Sequence, residues 1–183
     1  MAEYYFDIET YSPNDKPNPE TDKIITIQYQ RINLRSGKPK GKLKILKEWE
    51  SSERDIVFKF YEKFFSVDKS IWDFISVGFN LNFEWEFLMT KFNKYLGVKL
   101  TSREIYYNRP YIDLKPIVVL LNNGKFRGAS LNRFTKKKYN GGFIKRWYEN
   151  KQYDKIEEYI KNETEAYIEF LQKIIKNIHK ILD

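Results

Sequence analysis

Residues 4–10 read Tyr4-Tyr5-Phe6-Asp7-Ile8-Glu9-Thr10. Aromatic and β-branched residues mark the run as a strand, yet two carboxylates stand two residues apart in its most apolar stretch. Side chains of a strand alternate between faces, so Asp7 and Glu9 project from one side while Phe6 and Ile8 project from the other. Two like charges on one face repel, and solvent, a Lys or Arg partner, or a bound cation must offset that repulsion. One face of this strand suits a core and the other carries charge.

Outward from it, a Pro- and Asn-rich stretch leads to Ile24-Ile25-Thr26-Ile27-Gln28-Tyr29, and the turn Ser36-Gly37-Lys38-Pro39 leads to Leu43-Lys44-Ile45-Leu46. These read as three neighbouring strands with hairpin-like links. Ser52 is placed to cap a helix through Phe65, with Ile56, Val57, Phe60 and Phe64 at helical spacing. Phe74–Phe79 reads as a fourth, buried strand, followed by a helix from Asn82 to Leu96 that Gly97 closes. A strand running straight into a helix is an α/β signature. Short helices are expected over Lys115–Leu121 and from Ser130, a break at Gly141-Gly142, and one long amphipathic helix from Tyr153 onward.

The 183 residues fit one domain, 1–183. Cysteine is absent, which excludes disulfides, zinc thiolate sites and cysteine nucleophiles, and the single histidine, His179, stands near the end of the chain, so histidine-based catalysis is ruled out. No apolar run approaches a membrane span and no leader pattern is seen, so an intracellular, cytoplasmic, soluble protein without a membrane partner is expected. The net charge of +8 is localised. Nine basic residues against the single acid Glu149 lie between Lys125 and Lys151, and the rest of the chain is neutral. Lys136, Lys137, Lys138, Lys145 and Arg146 in this segment are interleaved with aromatic residues, Trp147 among them. That is the footprint of a phosphate backbone with stacking bases, or else a solvated basic surface.

Two further carboxylates interrupt apolar patterns. The stripe of the last helix runs Ile156, Tyr159/Ile160, Tyr167, Phe170/Leu171, Ile174 and Ile178, and the position that completes it between Ile160 and Tyr167 is Glu163. Glu84 sits among Phe83, Phe87 and Leu88 at the strand-to-helix junction, where α/β folds place their chemistry. Burying an unpaired carboxylate is costly, so each needs an edge position or a cationic partner.

Three blocks, Phe6-Asp7-Ile8-Glu9-Thr10, Gly78-Phe79-Asn80-Leu81-Asn82-Phe83-Glu84 and Tyr159-Ile160-Lys161-Asn162-Glu163, resemble in order and spacing those of the DEDD (DnaQ-like) 3′-5′ exonucleases, tyrosine branch. In particular the chain resembles the proofreading exonuclease domain of family B DNA polymerases, as a stand-alone protein. The segments Tyr111-Ile112-Asp113-Leu114 and Gly128-Ala129-Ser130-Leu131-Asn132 look like connecting stretches of that family. Two positions depart from it. Glu84 and Glu163 stand where the family has Asp, and the added methylene moves a carboxylate by about 1.5 Å on a fixed backbone.

The resemblance implies a ribonuclease H-like α/β fold, a central mixed sheet flanked by helices. It implies two divalent cations, Mg²⁺ or Mn²⁺, held by Asp7, Glu9, Glu84 and Glu163, with Tyr159 orienting the attacking water. Single-stranded DNA is the implied substrate, with Thr10, Asn80 and Phe83 joining the basic segment in holding it. RNA suits the same kind of groove, and a polymerase or replication partner is implied. Read from the residues alone, Glu86 competes with Glu84, Glu157 and Glu165 compete with Glu163, and Tyr153 with Glu157 repeats the Tyr-to-Glu spacing. The competing functional reading is a nuclease-fold protein with weakened or lost catalysis that binds nucleic acid or scaffolds a replication or repair assembly.

Overall fold

The computed structural model describes residues 1–14, 16–135 and 141–178, except the Phe134 side chain. Its centre is a six-stranded mixed sheet. Strands β1 (Glu3–Tyr11), β2 (Lys23–Asn33), β3 (Lys38–Pro39), β4 (Lys44–Lys47), β5 (Ile75–Gly78) and β6 (Tyr111–Asp113) are ordered β3-β2-β1-β5-β6, and β4 also pairs with β2. The β1–β2 and β2–β4 pairs are antiparallel, as hairpin-like links require, whereas β5 runs parallel to both β1 and β6. β3 and β6 were not foreseen. With two and three residues they are too short to show a period.

Alternation on β1 sends Tyr4, Phe6 and Ile8 to one side and Tyr5, Asp7 and Glu9 to the other. The first side packs against α1 (Glu53–Phe64) and α2 (Leu81–Leu96), where Phe6, Phe60, Phe64, Phe74, Trp85 and Phe92 form an aromatic-rich core. Ser52 caps α1 by accepting from the Asp55 amide, and Gly97 ends α2 at φ +69°, as their positions foretold. The other side carries α4 (Lys115–Leu121) and α7 (Tyr153–Asn177), with Tyr5, Val77, Val118, Tyr167 and Leu171 between them. A third cluster joins α6 (Ile144–Glu149) to α7 through Ile144, Trp147, Ile156, Tyr159 and Ile160. Two short helices, α3 (Ser102–Tyr106) and α5 (Leu131–Phe134), complete the chain. Among the described residues no helix is long and apolar enough to cross a membrane.

Gly78 fixes the junction between β5 and α2. A Cβ there would lie 2.8 Å from the Phe6 carbonyl oxygen and 2.5 Å from a Leu81 methyl, so only glycine permits β1 and α2 to approach this closely. The chain then turns through Asn80 at φ +68°. The amides of Asn80 and Leu81 donate to the Asp113 carboxylate at 2.8 and 2.9 Å.

Candidate active site

The charged side of β1 meets α7 and the first turn of α2. Asp7, Glu9 and Glu163 each offer a carboxylate oxygen, and the three oxygens lie within 4.8 Å of one another. Two of the acids come from one strand face and the third from the apolar stripe of α7, so the sequence anomaly becomes a single acidic cluster. Asp7 is oriented from below. It accepts from the Tyr5 hydroxyl at 3.2 Å, from Gln28 Nε2 at 3.2 Å and from the Ile8 amide at 3.0 Å. Gln28 is aligned in turn by the Thr26 hydroxyl, which donates to its Oε1 at 2.9 Å. The β1–β2 register sets Asp7 against Gln28 and Glu9 against Thr26, which seats two buried polar side chains beside the carboxylates.

Glu84 lies in the first turn of α2, only 5% exposed. Burial pushes its carboxyl well above the usual range, and the Asp7 charge and a hydrogen bond to Asp7 push the same way. Its Oε2 has no hydrogen-bond partner. Glu84 stands outside the group of three converging acids, although it adjoins Asp7. Tyr159 is almost fully buried, and its hydroxyl is raised far above its ordinary value by burial, by Glu9 and by Glu163, to which it is hydrogen-bonded.

The alternatives left open by the sequence occupy other surroundings. Glu86 and Glu165 are exposed; Glu157 pairs with Lys47 at 2.7 Å; Tyr153 stacks flat on Trp49 with ring centroids 4.6 Å apart. Thr10 is half-buried beyond a β-bulge after Glu9, and Asn80 is exposed at the start of α2. Phe83 is half-buried and packs on Phe87. Lys145 donates to the Pro13 carbonyl at 2.5 Å, tying α6 to the loop after β1, and Arg146 is exposed. Lys136, Lys137 and Lys138, like His179, lie outside the described residues.

Trp147 departs from the expected stacking ring. It is 9% exposed, a core residue under Phe143 and beside Tyr159, because a six-residue helix holds to α7 by burying its two large apolar side chains, Ile144 and Trp147. Sequence reasoning also missed Gln28, Thr26 and Asp113. The first two were visible as a period-two polar pair inside an apolar strand, and Asp113 as an acid just ahead of a helix start with Pro116.

No family model matches the sequence. Over 96 residues, about 52% of the chain, it is 33% identical to DNA polymerase 2 of Aeropyrum pernix, and the matched part is 10% of that polymerase. Among solved structures it resembles the family B DNA polymerase of the hyperthermophilic archaeon Pyrobaculum calidifontis, with a TM-score of 0.67 at 16% identity. That match covers 97% of this chain and 24% of the polymerase. A chain of an ExoI/SSB-Ct complex matches with a TM-score of 0.49 at 12% identity over 69% of this chain and 31% of that one. The fold is the ribonuclease H-like α/β fold, a mixed sheet flanked by helices. The chain spans about a tenth to a quarter of the polymerases it matches.

Proposed function

We propose that the protein is a metal-dependent 3′-5′ exonuclease that releases nucleotides from single-stranded DNA. One observation carries this reading: carboxylate oxygens of Asp7, Glu9 and Glu163 converge within 4.8 Å, although like charges at that spacing repel. The all-oxygen donor set suits Mg²⁺ or Mn²⁺, and the partnerless Oε2 of Glu84 adds a further oxygen beside Asp7. Asp7, Glu9 and Glu163 would hold one cation and Asp7 with Glu84 a second. Cations bound there supply the Lewis acidity that activates a water and stabilises the leaving 3′ oxygen.

The chain's own groups perform the remaining work. Gln28 and Tyr5 fix the Asp7 carboxylate, so it need not reorganise when charge develops. The Tyr159 hydroxyl stays protonated at every working pH and is anchored on Glu163, where it positions the attacking water. Burial of Glu84 and Tyr159 excludes bulk solvent from one wall of the cluster. The similarity to polymerases supports this reading over an unrelated acidic pocket.

The second reading, a nucleic-acid binder with weakened catalysis, is favoured by Glu84 standing outside the three converging acids. The test is degradation of 5′-labelled single-stranded DNA with Mg²⁺, Mn²⁺ or chelator. The expected outcome is a ladder shortening from the 3′ end that chelator stops. Tyr159→Phe should slow turnover by about a hundredfold while leaving DNA affinity within about twofold. A protein that binds the strand in every buffer and yields no ladder is the second reading.

A further inference from the structure

Phe143 is 43% exposed, and its ring lies nearly parallel on the buried ring of Trp147, centroids 5.5 Å apart and planes at 20°. Beside it open the exposed side chains of Arg146, Gln152 and Lys155, which with the two rings line a pocket of about 310 Å³. Lys155 donates to Gln152 Oε1 at 3.2 Å, and neither Lys155 nor Arg146 enters an ion pair among the described residues. An exposed ring braced from behind and flanked by two cations offers a base a π-face and its phosphates two charges.

The pocket is coupled by packing to the acidic cluster. Trp147 touches Tyr159 with centroids 6.2 Å apart, and Tyr159 is hydrogen-bonded to Glu163. A Cβ on Gly141, in the turn ahead of Phe143, would lie 3.6 Å from the Tyr159 hydroxyl. The bond from Lys145 to Pro13 holds α6 against the loop that follows the acid-bearing strand. Phe143 therefore stands at the head of α6, joined to Tyr159 through the ring of Trp147.

We infer that the Phe143–Arg146–Lys155 pocket is a subsite for single-stranded DNA, in which Phe143 stacks on a base upstream of the terminal nucleotide and Arg146 and Lys155 take the neighbouring phosphates. The identity of the occupant rests on the nuclease reading above. Charge complementarity argues for a phosphate chain, since Phe143 and Arg146 lie in the segment that carries the whole net charge and Lys155 just beyond it.

The test is fluorescence anisotropy of a 5′-fluorescein oligothymidylate of about twelve nucleotides, measured in chelator over a salt series with the full chain. Phe143→Ala should weaken binding about tenfold without changing the salt slope, because stacking releases few ions, and Phe143→Tyr should restore it. The double reversal Arg146→Glu with Lys155→Glu should weaken binding and flatten the slope of log K against log salt by about 1.4, the value for two lost phosphate contacts. Thermal melts of each variant check folding, and all three substituted side chains reach the surface. Wild-type affinity in Phe143→Ala, an unchanged slope in the double reversal, or equal competition by an acidic peptide would overturn the subsite. Chelator separates the two ideas. A wild type that degrades nothing while Phe143→Ala still loses affinity leaves the subsite standing and removes the nuclease reading. A chelator-sensitive ladder with unaffected variants does the reverse.

Discussion

Two groups of acids lie against the same sheet, and their surroundings differ. On the α1–α2 side, Glu53 accepts from the Ile24 amide at 2.8 Å and from the Tyr95 hydroxyl at 2.6 Å, and the fully buried Lys91 lies 3.4 Å away. Lys91 also donates to the Asp22 carbonyl at 2.5 Å, and the Asp22 carboxylate is enclosed by Ser12, the Asn18 amide and Thr21. Each acid there meets donors. Around α7 and the first turn of α2, Asp7 also meets donors, from Tyr5, Gln28 and the Ile8 amide, but there carboxylates crowd one another: Asp7, Glu9 and Glu163 converge, and Glu84 adjoins Asp7. The first arrangement sets a carboxylate against a buried cation, whereas the second sets carboxylates against one another, a repulsion that a bound cation would relieve.

The largest expected effect comes from breaking the frustrated cluster. Asp7→Asn should lower exonuclease turnover by about 10³-fold or more, because Asp7 adjoins every other acid of the site. In chelator the same variant removes a repulsion but also weakens the acceptor that Tyr5, Gln28 and the Ile8 amide share, so its melting temperature should stay within about 4 °C of wild type. An unfolded Asp7→Asn would mean that the cluster, like the Glu53 group, serves stability.

Next comes the satisfied network. Lys91→Met removes the one cation of a buried group and leaves Glu53 without its counter-charge, so unfolding in urea should show a loss of about 3 kcal/mol. Activity at temperatures well below the melt should stay close to wild type. A loss below about 1 kcal/mol would mean that the Ile24 amide and the Tyr95 hydroxyl satisfy Glu53 without the Lys91 charge.

Asp22 gives a smaller effect with a pH signature. Burial pushes its carboxyl up, but the hydrogen bonds from Ser12, the Asn18 amide and Thr21, with the Lys91 charge, outweigh it and hold it below 3.8. A carboxyl depressed in the folded state contributes stability above its unfolded value, and that contribution fades as pH falls through the folded value. Asp22→Asn should therefore cost about 1–3 kcal/mol at pH 7. The difference from wild type should narrow only below about pH 4. A difference that is constant from pH 7 to pH 3 would assign the loss to packing rather than to charge.

Both groups were unequally legible in the sequence. Asp7 and Glu9 declare their shared face because strand alternation is strictly period two, and Glu163 declares itself by occupying a stripe position on a 25-residue helix. The core-forming order of strands and helices followed from the same two periods. Glu53 and Lys91 were illegible. Each reads as an ordinary surface charge on an amphipathic helix, and only the packing of α1 on α2 brings them together. Trp147 was misread for the opposite reason. Its charged neighbours suggested a stacking ring, and a helix of six residues shows too little periodicity to reveal a buried face.

Glu84→Gln should give the smallest change and sharpens the contrast most. The Glu84 carboxyl is buried beside Asp7 and shares a hydrogen bond with it, an arrangement that requires a proton held against its ordinary tendency. A Gln amide has nearly the same shape and donates to Asp7 with no proton to acquire. In chelator the variant should be more stable than wild type by about 1 kcal/mol, a rise in melting temperature of about 2–4 °C for a chain of this size. Added Mn²⁺ should reverse the order. A cation that binds only the folded state stabilises it in proportion to the logarithm of its concentration over Kd, and wild type offers one more anionic oxygen than the variant. Wild type should therefore gain more from Mn²⁺ than Glu84→Gln does, and the two melting curves should cross as the cation is titrated. Parallel curves at all concentrations would show that Glu84 holds no cation, leaving Asp7, Glu9 and Glu163 as the whole of the site.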